Sequence, residues 1–499
     1  MSRRLSEPAS LASLLLIGCL ALGIFALSAY RFTSGQGGVP LDDAWIHFQF
    51  ARNLARGDGL SFNPGEPTSG STAPLWTVLL AGMYLVGGDS PLAGQLLSAA
   101  CFLATLAATY TLTRQLTRNR GAAWLTGAVV ALNGRMAWAG LSALETCLFA
   151  ALSLWAISAH LHDTRAGRYR LRTAALFGLA ALARPEGYFL FALSLLTFTL
   201  HASRFKLHVF HLLLPILLFT TIVSPYLIFS LRTSGHLLPN TYHAKATVNH
   251  SLDLDFLSLW ARYLILDNPL LLPFYVLGLA VLLRRAPLLS LWSAGLPLVY
   301  AFIGAVLYQH GRYLMPLIPV NAVIALAGLL EAQRMLRRRG WREPGFFGKN
   351  LGSVLIGLLV VVGTAWRLPT MASQYAQNVG NINQMHVALG HWVAENTPPD
   401  AILALNDIGA ITYISERPVV DLAGLITPEV IPLLRSPDRE ALLVDFMAAR
   451  GVDYVIIFPN WFPGLAAHPG MEEVHRVTLE HNTIAGGEIM VVYRAHWQR

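Results

Sequence analysis

The chain is 499 residues long, 54% hydrophobic and only 13% charged, with a mean hydropathy of +0.50, whereas a soluble domain carries about 25% charged residues; this composition excludes a water-soluble globular protein and requires a bilayer. The net charge is +8, yet residues 372–499 hold 7 Lys or Arg against 14 Asp or Glu while the rest of the chain holds 29 against 14. The basic excess sits in short loops between apolar runs, a topology signal rather than a nucleic-acid surface, and Cys19, Cys101 and Cys147, far apart within apolar runs, offer no disulfide framework or metal-ligand spacing.

A hydrocarbon core about 30 Å thick takes roughly 20 apolar helical residues to cross. Leu11 to Tyr30 has that length and follows Met1-Ser2-Arg3-Arg4. It is too long for a secretory signal and no small-x-small cleavage site follows, so it reads as a retained anchor with its N-terminus in the cytoplasm. Thr33 to Ser71 is then an external loop. Pro74 to Gly87 makes roughly 21 Å of helix, too short to cross, and is assigned to the outer interface. That choice lets Pro91 to Leu112 run inward and deliver Arg114, Arg118 and Arg120 to the cytoplasm.

Gly121 to Trp138 then runs out and Leu141 to His160 back, which places Arg165, Arg168, Arg170 and Arg172 inside. Thr173 to Leu200 is interrupted by Pro185, which lacks an amide hydrogen and breaks a helix. It reads as two short helices meeting near the outer face at Arg184-Pro185-Glu186-Gly187, with Arg204 and Lys206 inside. His208 to Leu231 exits, an external loop runs to about Ser258, and two helices joined by Arg284-Arg285 follow. Gly311 to Leu330 descends to Arg334, Arg337, Arg338, Arg339 and Arg342, and Leu351 to Arg367 ascends. The expectation is a polytopic α-helical protein of an inner or plasma membrane, with about 11 transmembrane helices and an extracytoplasmic C-terminus.

Residues 1–368 thus form a membrane module and 369–499 a second domain. There Pro398-Pro399 punctuates the chain, and short β-branched runs, Ala401 to Leu405, Tyr454 to Phe458 and Ile489 to Tyr493, alternate with helical patterns. This reads as a small extracytoplasmic α/β domain.

Ionisable residues in or beside spans are costly and mark functional sites. Asp42 and Asp43 open the first external loop ahead of Ala44 to Ala55, an amphipathic helix with Ile46, Phe50 and Leu54 on one stripe. Helix capping is the plain alternative for the two acids. The basic residues expected outside are Arg31, Arg52, Arg56, Arg135, Arg184, Arg232, Lys245, Arg262 and Arg312, while Lys206 and Lys349, the other lysines, fall inside. Such groups either hold a phosphate or snorkel to headgroups; Arg184 and Lys245 sit in polar, proline-marked turns that suit the first role. His47 lies four residues after Asp43, and His236 and His243 lie in the second large external loop. A divalent cation, Mg or Mn, could be held by such a set, Asp43 and His47 being its candidate ligands, though scattered histidines also serve as ordinary polar residues.

Several separate motifs resemble the GT-C superfamily of polyprenyl-phosphate-sugar-dependent glycosyltransferases, in particular bacterial arabinofuranosyltransferases and mannosyltransferase-like enzymes. They are Asp42-Asp43-Ala44-Trp45-Ile46 with Ala51-Arg52-Asn53-Leu54, then Gly59-Leu60-Ser61-Phe62-Asn63-Pro64-Gly65-Glu66 and Gly70-Ser71-Thr72-Ala73-Pro74-Leu75-Trp76. Leu144-Glu145-Thr146, Arg184-Pro185-Glu186-Gly187, Pro239-Asn240-Thr241-Tyr242-His243-Ala244-Lys245 and Gly311-Arg312-Tyr313 follow, with Asp407-Ile408-Gly409-Ala410 and Val420-Asp421-Leu422-Ala423-Gly424-Leu425 in the C-terminal domain. The chain departs from the resemblance at Trp45, His47, Gln49 and Phe50, where the family often has Tyr, Ser, Arg and Tyr, and at Glu186, where it often has Asp.

The resemblance implies a GT-C-like fold with interfacial helices in the first external loop, an active site on the outer face, and an acid of that loop as catalytic base. On this reading Asp42 is the base and Asp43 positions the acceptor or a metal ion. Arg184, Lys245 and Arg312 hold the donor phosphate, and His47, Glu145, Glu186, Asn240, Tyr242 and His243 bind substrate or support the site. The donor is a polyprenyl-phosphate-linked sugar and the acceptor a hydroxyl of a cell-envelope glycan, lipid or protein. A transporter or flippase of lipid-linked sugars, and a polymerase or ligase of lipid-linked glycans, are the alternatives.

Overall fold

The computed structural model describes residues 7–202, 210–245, 252–303, 309–338 and 351–497. Arg3, Arg4, Arg204, Lys206, Arg339, Arg342 and Lys349, assigned above to cytoplasmic segments, lie outside the described residues, as do the side chains of Arg337, His243 and Lys245.

The first half of the chain folds into α1 (Glu7–Phe32), α2 (Asp42–Arg56), α3 (Pro74–Gly87), α4 (Pro91–Thr117), α5 (Arg120–Ala131), α6 (Gly134–Leu141), α7 (Thr146–Ala166), α8 (Leu171–Ala183) and α9 (Glu186–Ala202). It continues as α10 (Phe210–Ser234), α11 (Asn240–Lys245), α12 (Leu254–Asp267), α13 (Leu272–Arg285), α14 (Pro287–Phe302), α15 (Leu317–Arg338) and α16 (Leu351–Ala365). Large apolar side chains such as Leu16, Leu20, Leu213, Leu214 and Val276 are turned outward, which water would penalise and lipid does not. The chain is a multi-pass membrane protein.

Among the described residues, five helices are long and apolar enough to cross a bilayer, or seven if two sharply bent pairs, α6 with α7 (113°) and α12 with the segment Pro269–Arg285 (103°), each count as one span. Helix length alone does not reproduce the expected eleven: α8 and α14, two of the expected spans, are apolar but short, while α3 is short as expected of an interfacial helix. The single run expected over Gly121 to Trp138 is in fact two helices. Asn133 stops it by accepting the Met136 amide hydrogen at 3.0 Å, which starts α6 afresh. The break at Pro185 is where the sequence puts it, with α8 ending at Ala183 and α9 starting at Glu186. Gly187 is required there: a Cβ would lie 2.5 Å from the Cα of Ala181.

Helices α13 and α15 approach closely through small residues. A Cβ on Gly278 would lie 2.8 Å from the carbonyl carbon of Ile324, and one on Gly328 would lie 2.9 Å from that of Phe274. The last apolar helix does not stop at the membrane. It runs on from Leu355 to Asn396, through α17 (Leu368–Ile382), a π-helical turn at Asn383–Val387 and α18 (Ala388–Asn396). Its 42 residues span about 63 Å, twice the hydrocarbon thickness, so its second half carries the chain into the C-terminal domain.

That domain contains β1 (Leu403–Leu405), α19 (Gly409–Ser415), β2 (Val419–Asp421), α20 (Val430–Leu434), α21 (Arg439–Ala449), β3 (Tyr454–Ile457), α22 (Pro463–Ala466), β4 (Met471–Thr478) and β5 (Ile489–Ala495). The sheet order is β2-β1-β3-β5-β4, with β1 parallel to β2 and β3, and β5 antiparallel to β3 and β4. β1, β3 and β5 arise from the three β-branched runs read in the sequence; β1 and β3 are buried throughout, as parallel strands covered on both faces must be.

The domain sits on α2. Trp45 and Phe48 pack against Tyr413 of α19, and Phe50 with Phe62 enters the core that also holds Leu403, Ile411 and Ile456. The stripe expected on α2 is therefore only part of its buried surface, since His47, Gln49, Arg52 and Asn53 are buried too: a second layer covers the face that would otherwise meet water.

Candidate active site

The acidic pair lies in the first turn of α2, with Leu41 at the N-cap. Successive residues of a helix point about 100° apart, and the two carboxylates leave the helix in different directions. Asp42 reaches into the C-terminal domain, where its Oδ2 accepts the Gly409 amide hydrogen at 2.8 Å and its Oδ1 that of Ala410 at 2.7 Å. These are first-turn amides of α19, a natural place for an anion. Asp43 is ion-paired with Arg312.

Around Asp42 the surroundings are acidic. Asp407, in the loop after β1, is 3.0 Å from the Nε2 of His386, whose ring is fully buried in the π-helical turn. Burial pushes the Asp42 carboxyl up to about 6; His386 opposes that, Asp407 adds to it, and the Ala410 and Gly409 amide hydrogens oppose it. Asp42, His386 and Asp407 form a group that could hold a metal ion, their ligand atoms all lying within 4.8 Å of one another. Asp43 and His47, the ligands considered from the sequence, belong to no such group among the described residues.

Around Asp43 lies an alternating chain of charges. Arg312 stands 5.2 Å from the centroid of Tyr313, and His47 Nε2 is 3.5 Å from Glu145. Arg184 donates to Glu145 at 3.0 Å through Nη1 and to Glu186 at 2.9 Å through Nε, while the Tyr300 hydroxyl also donates to Glu186. The Tyr313 ring centroid is 5.4 Å from the Arg184 guanidinium, so this ring touches both arginines. Glu145 stands at the bend between α6 and α7, Arg184 and Glu186 at the break between α8 and α9. The short interrupted helices of the bundle thus exist where their ends carry charge.

Arg312 is presented by Gln309–Leu314, in which Gln309, His310 and Gly311 all have positive φ. Arg135 holds that strained backbone, donating to the His310 carbonyl at 2.8 Å and the Gly311 carbonyl at 3.0 Å while pairing with Asp267 at 2.8 Å. A Cβ on Gly311 would meet Tyr263 and Arg135 at 2.7 and 2.9 Å.

The structure therefore brings Asp43, His47, Glu145, Arg184, Glu186 and Arg312 together, with Asp42 on their C-terminal-domain side. Asn240 is elsewhere. It is buried against the first loop, its amide hydrogen reaching the Ser69 carbonyl at 3.3 Å, and Thr241 bonds the Gly70 carbonyl at 2.7 Å, so this motif fastens α11 to that loop. Tyr242 is exposed. The motif containing Asp421 is likewise a docking knot: the carboxylate collects the amide hydrogens of Ala423, Leu425 and Ile426. Burial pushes it up to about 6 against those three bonds. The Leu425 carbonyl and Ile426 then press on Gly70, where a Cβ would lie 2.8 Å from each.

Sequence reasoning missed His386, Tyr300, Asp267 and the positioning role of Arg135. His386 carries no local signal, because a π turn has no sequence rule. Asp407 was visible only within its short motif.

Residues 374–498 match the model of a family described as a domain of unknown function (DUF8728). No curated protein matches the chain. Among solved structures it is similar to ArnT from Cupriavidus metallidurans bound to undecaprenyl phosphate, at a TM-score of 0.64 and 14% identity over 97% of this chain and 98% of that one. It is also similar to the oligosaccharyltransferase AglB from Archaeoglobus fulgidus, in complex with an inhibitory peptide and a dolichol-phosphate (TM-score 0.54, 13% identity, 88% of this chain and 69% of that one). The arabinofuranosyltransferase AftD from Mycobacteria is similar at a TM-score of 0.51 and 15% identity, over 99% of this chain and 40% of that one. These three are GT-C glycosyltransferases, and the chain has the GT-C fold.

Proposed function

We propose that this protein is an inverting glycosyltransferase of the inner or plasma membrane that moves a sugar from a polyprenyl-phosphate donor to a hydroxyl of a cell-envelope glycan, lipid or protein. On this reading the N-terminus is cytoplasmic, and the C-terminal domain and α2 face the extracytoplasmic side. The observation that carries it is the divergence of the acidic pair, which sets one carboxylate beside an arginine cluster and the other beneath the C-terminal domain. A lipid phosphate approaches from the bundle and an acceptor from the domain side, so the two reactants would meet at the start of α2.

The chemistry follows from the groups. The acceptor oxygen bonds to the anomeric carbon as the bond from that carbon to the phosphate oxygen breaks; the hydroxyl proton passes to Asp42, and the polyprenyl phosphate departs. An ordinary Asp, with a pKa near 3.9, is a poor base for a hydroxyl, and one raised to about 6 by burial is better matched. A single displacement with the base opposite the leaving group inverts the anomeric centre. Arg184 spends three of its five N–H donors on Glu145 and Glu186 and keeps two for phosphate. Arg312 stands beside it, and Lys245 is the third proposed phosphate contact.

The test is transfer from a panel of synthetic polyprenyl-phosphate pentoses and hexoses to envelope acceptors by the purified protein. Asp42→Asn should fold and lose transfer, and Arg184→Ala should chiefly raise the donor KM. Normal turnover by Asp42→Asn removes that residue from the mechanism.

A further inference from the structure

Three segments remote in sequence meet beneath the C-terminal domain: the start of α2, the π-helical turn, and the loop after β1. Asp42, His386 and Asp407 bring one ligand atom each to within 4.8 Å of the others. Among the described residues neither carboxylate has a Lys or Arg partner; Asp407 pairs with His386, and Asp42 is met by two backbone amides. Two like charges in a largely buried junction repel and are poorly solvated, and an ion between them removes both costs.

The second observation concerns the histidine. π-helical turns are rare and recur at functional sites. This one holds an imidazole with no exposed surface, whose Nδ1 finds no hydrogen-bond partner among the described residues. The ring nitrogen that faces the acids is Nε2, 3.0 Å from Asp407 Oδ2, so a fully buried imidazole is aimed at two carboxylates that have no Lys or Arg among the described residues to balance them. We propose that Asp42, His386 and Asp407 bind one divalent cation, Mn(II) or Zn(II), which ties the C-terminal domain to α2.

The donor set selects the class. Imidazole disfavours Mg(II) and Ca(II), whereas one nitrogen and two carboxylates suit Mn(II) or Zn(II). Three protein ligands leave a coordination position for a water or a hydroxyl, and an ion on one oxygen of Asp42 leaves the other to take a proton. The site goes beyond the glycosyltransferase reading, because it stands on ligand geometry and its occupancy requires no sugar donor.

The full-length protein in detergent, stripped with EDTA and returned to chelator-free buffer, is titrated with Mn(II) while free ion is followed by electron paramagnetic resonance; Zn(II) is counted by elemental analysis after gel filtration. One equivalent should bind, and Asp407→Asn and His386→Gln should each weaken binding at least about tenfold. Glu472→Gln, on the edge strand β4, should bind as the wild type does. Melting in EDTA shows whether each variant folds, and added Zn(II) should raise the melting temperature of the wild type but not of Asp407→Asn. Absence of stoichiometric binding, or binding undiminished in both ligand variants, overturns the proposal. Stoichiometric binding by a wild-type protein that transfers no sugar would uphold the site and count against the enzyme reading alone.

Discussion

The Asp42 carboxylate accepts the Gly409 amide hydrogen at 2.8 Å, and Gly409 approaches so closely that a Cβ there would lie 2.6 Å from the Cγ and Oδ1 of Asp42. Real Cβ atoms do not come so near, so Gly409→Ala must displace either the carboxylate or α19. Misplacing a reacting group by about 1 Å costs on the order of 10²-fold in rate. The variant should therefore lose that much kcat with little change in donor KM, since the arginine cluster is untouched. Wild-type kcat in Gly409→Ala would show that the position of Asp42 does not matter.

The proton affinity of Asp42 gives a second outcome. The base acts ionised, and its carboxyl is raised to about 6 by burial, with His386 opposing and Asp407 adding. In the EDTA-stripped protein, with no cation on the carboxylate, transfer should fall as pH drops through about 6, where an unperturbed Asp would hold activity down to about 4. The midpoint belongs to the cluster rather than to one residue, so Asp407→Asn, which removes a group that raises it, should move the limb to lower pH. A pH–rate profile in kcat/KM of the metal-free protein reads both, and a wild-type limb near 4 under those conditions would remove burial as the tuning force.

Arg135 should matter although it faces no substrate. It pairs with Asp267 at 2.8 Å and holds the carbonyls of His310 and Gly311, behind which Arg312 stands. Arg135→Ala leaves Asp267 without its cation and the positive-φ backbone unheld. Breaking a buried pair costs about 3–5 kcal/mol, with the lower end expected because Asp267 keeps some exposure. Arg135→Lys should recover little, because one ammonium cannot reproduce three directed N–H bonds. Thermal unfolding in detergent reads the loss; an unshifted melting curve for Arg135→Ala would contradict it.

The α13–α15 contact allows a test of the bundle that is independent of the site. A Cβ on Gly278 would overlap the Ile324 carbonyl, and one on Gly328 that of Phe274. Gly278→Leu should cost about 1–3 kcal/mol or more by overpacking, and a lower melting temperature with donor KM unchanged is expected. Gly357, whose Cβ would meet nothing, should accept Ala without loss.

Sequence alone showed the membrane module, the break at Pro185 and the strands β1, β3 and β5 because each has a local cause: apolar length, a missing amide hydrogen, β-branched runs. The span count was less legible, because Asn133 and the bends beside Glu145 and Asn268 interrupt apolar stretches without changing their hydropathy. The acidic pair, Arg184 and Arg312 stood out as charges in apolar surroundings, and Glu145 and Glu186 through the motifs that carry the resemblance. Their pairing could not be read. That Arg184 meets both Glu145 and Glu186 is set by how the interrupted helices pack, and that Asp42 turns toward Gly409 while Asp43 turns toward Arg312 depends on contacts hundreds of residues apart; neither Asp407 nor His386 announces itself beside position 42.

That divergence gives the two aspartates separable phenotypes. Asp43 occupies Arg312, which lies beside the Tyr313 ring shared with Arg184. Asn keeps the shape and an acceptor oxygen but gives up the charge, so Asp43→Asn frees Arg312 for a phosphate while loosening its position. Donor affinity should then hold or improve, and kcat should fall by about 10-fold, the cost of a poorly held transition-state contact. Arg312→Ala should do the opposite, raising donor KM, and the double variant should resemble Arg312→Ala, because the charge of Asp43 acts through that guanidinium. Initial rates across donor concentration for the three variants make the comparison. If Asp43→Asn instead loses all turnover at unchanged KM, as Asp42→Asn is expected to do, then Asp43 carries the proton and the roles of the pair are exchanged.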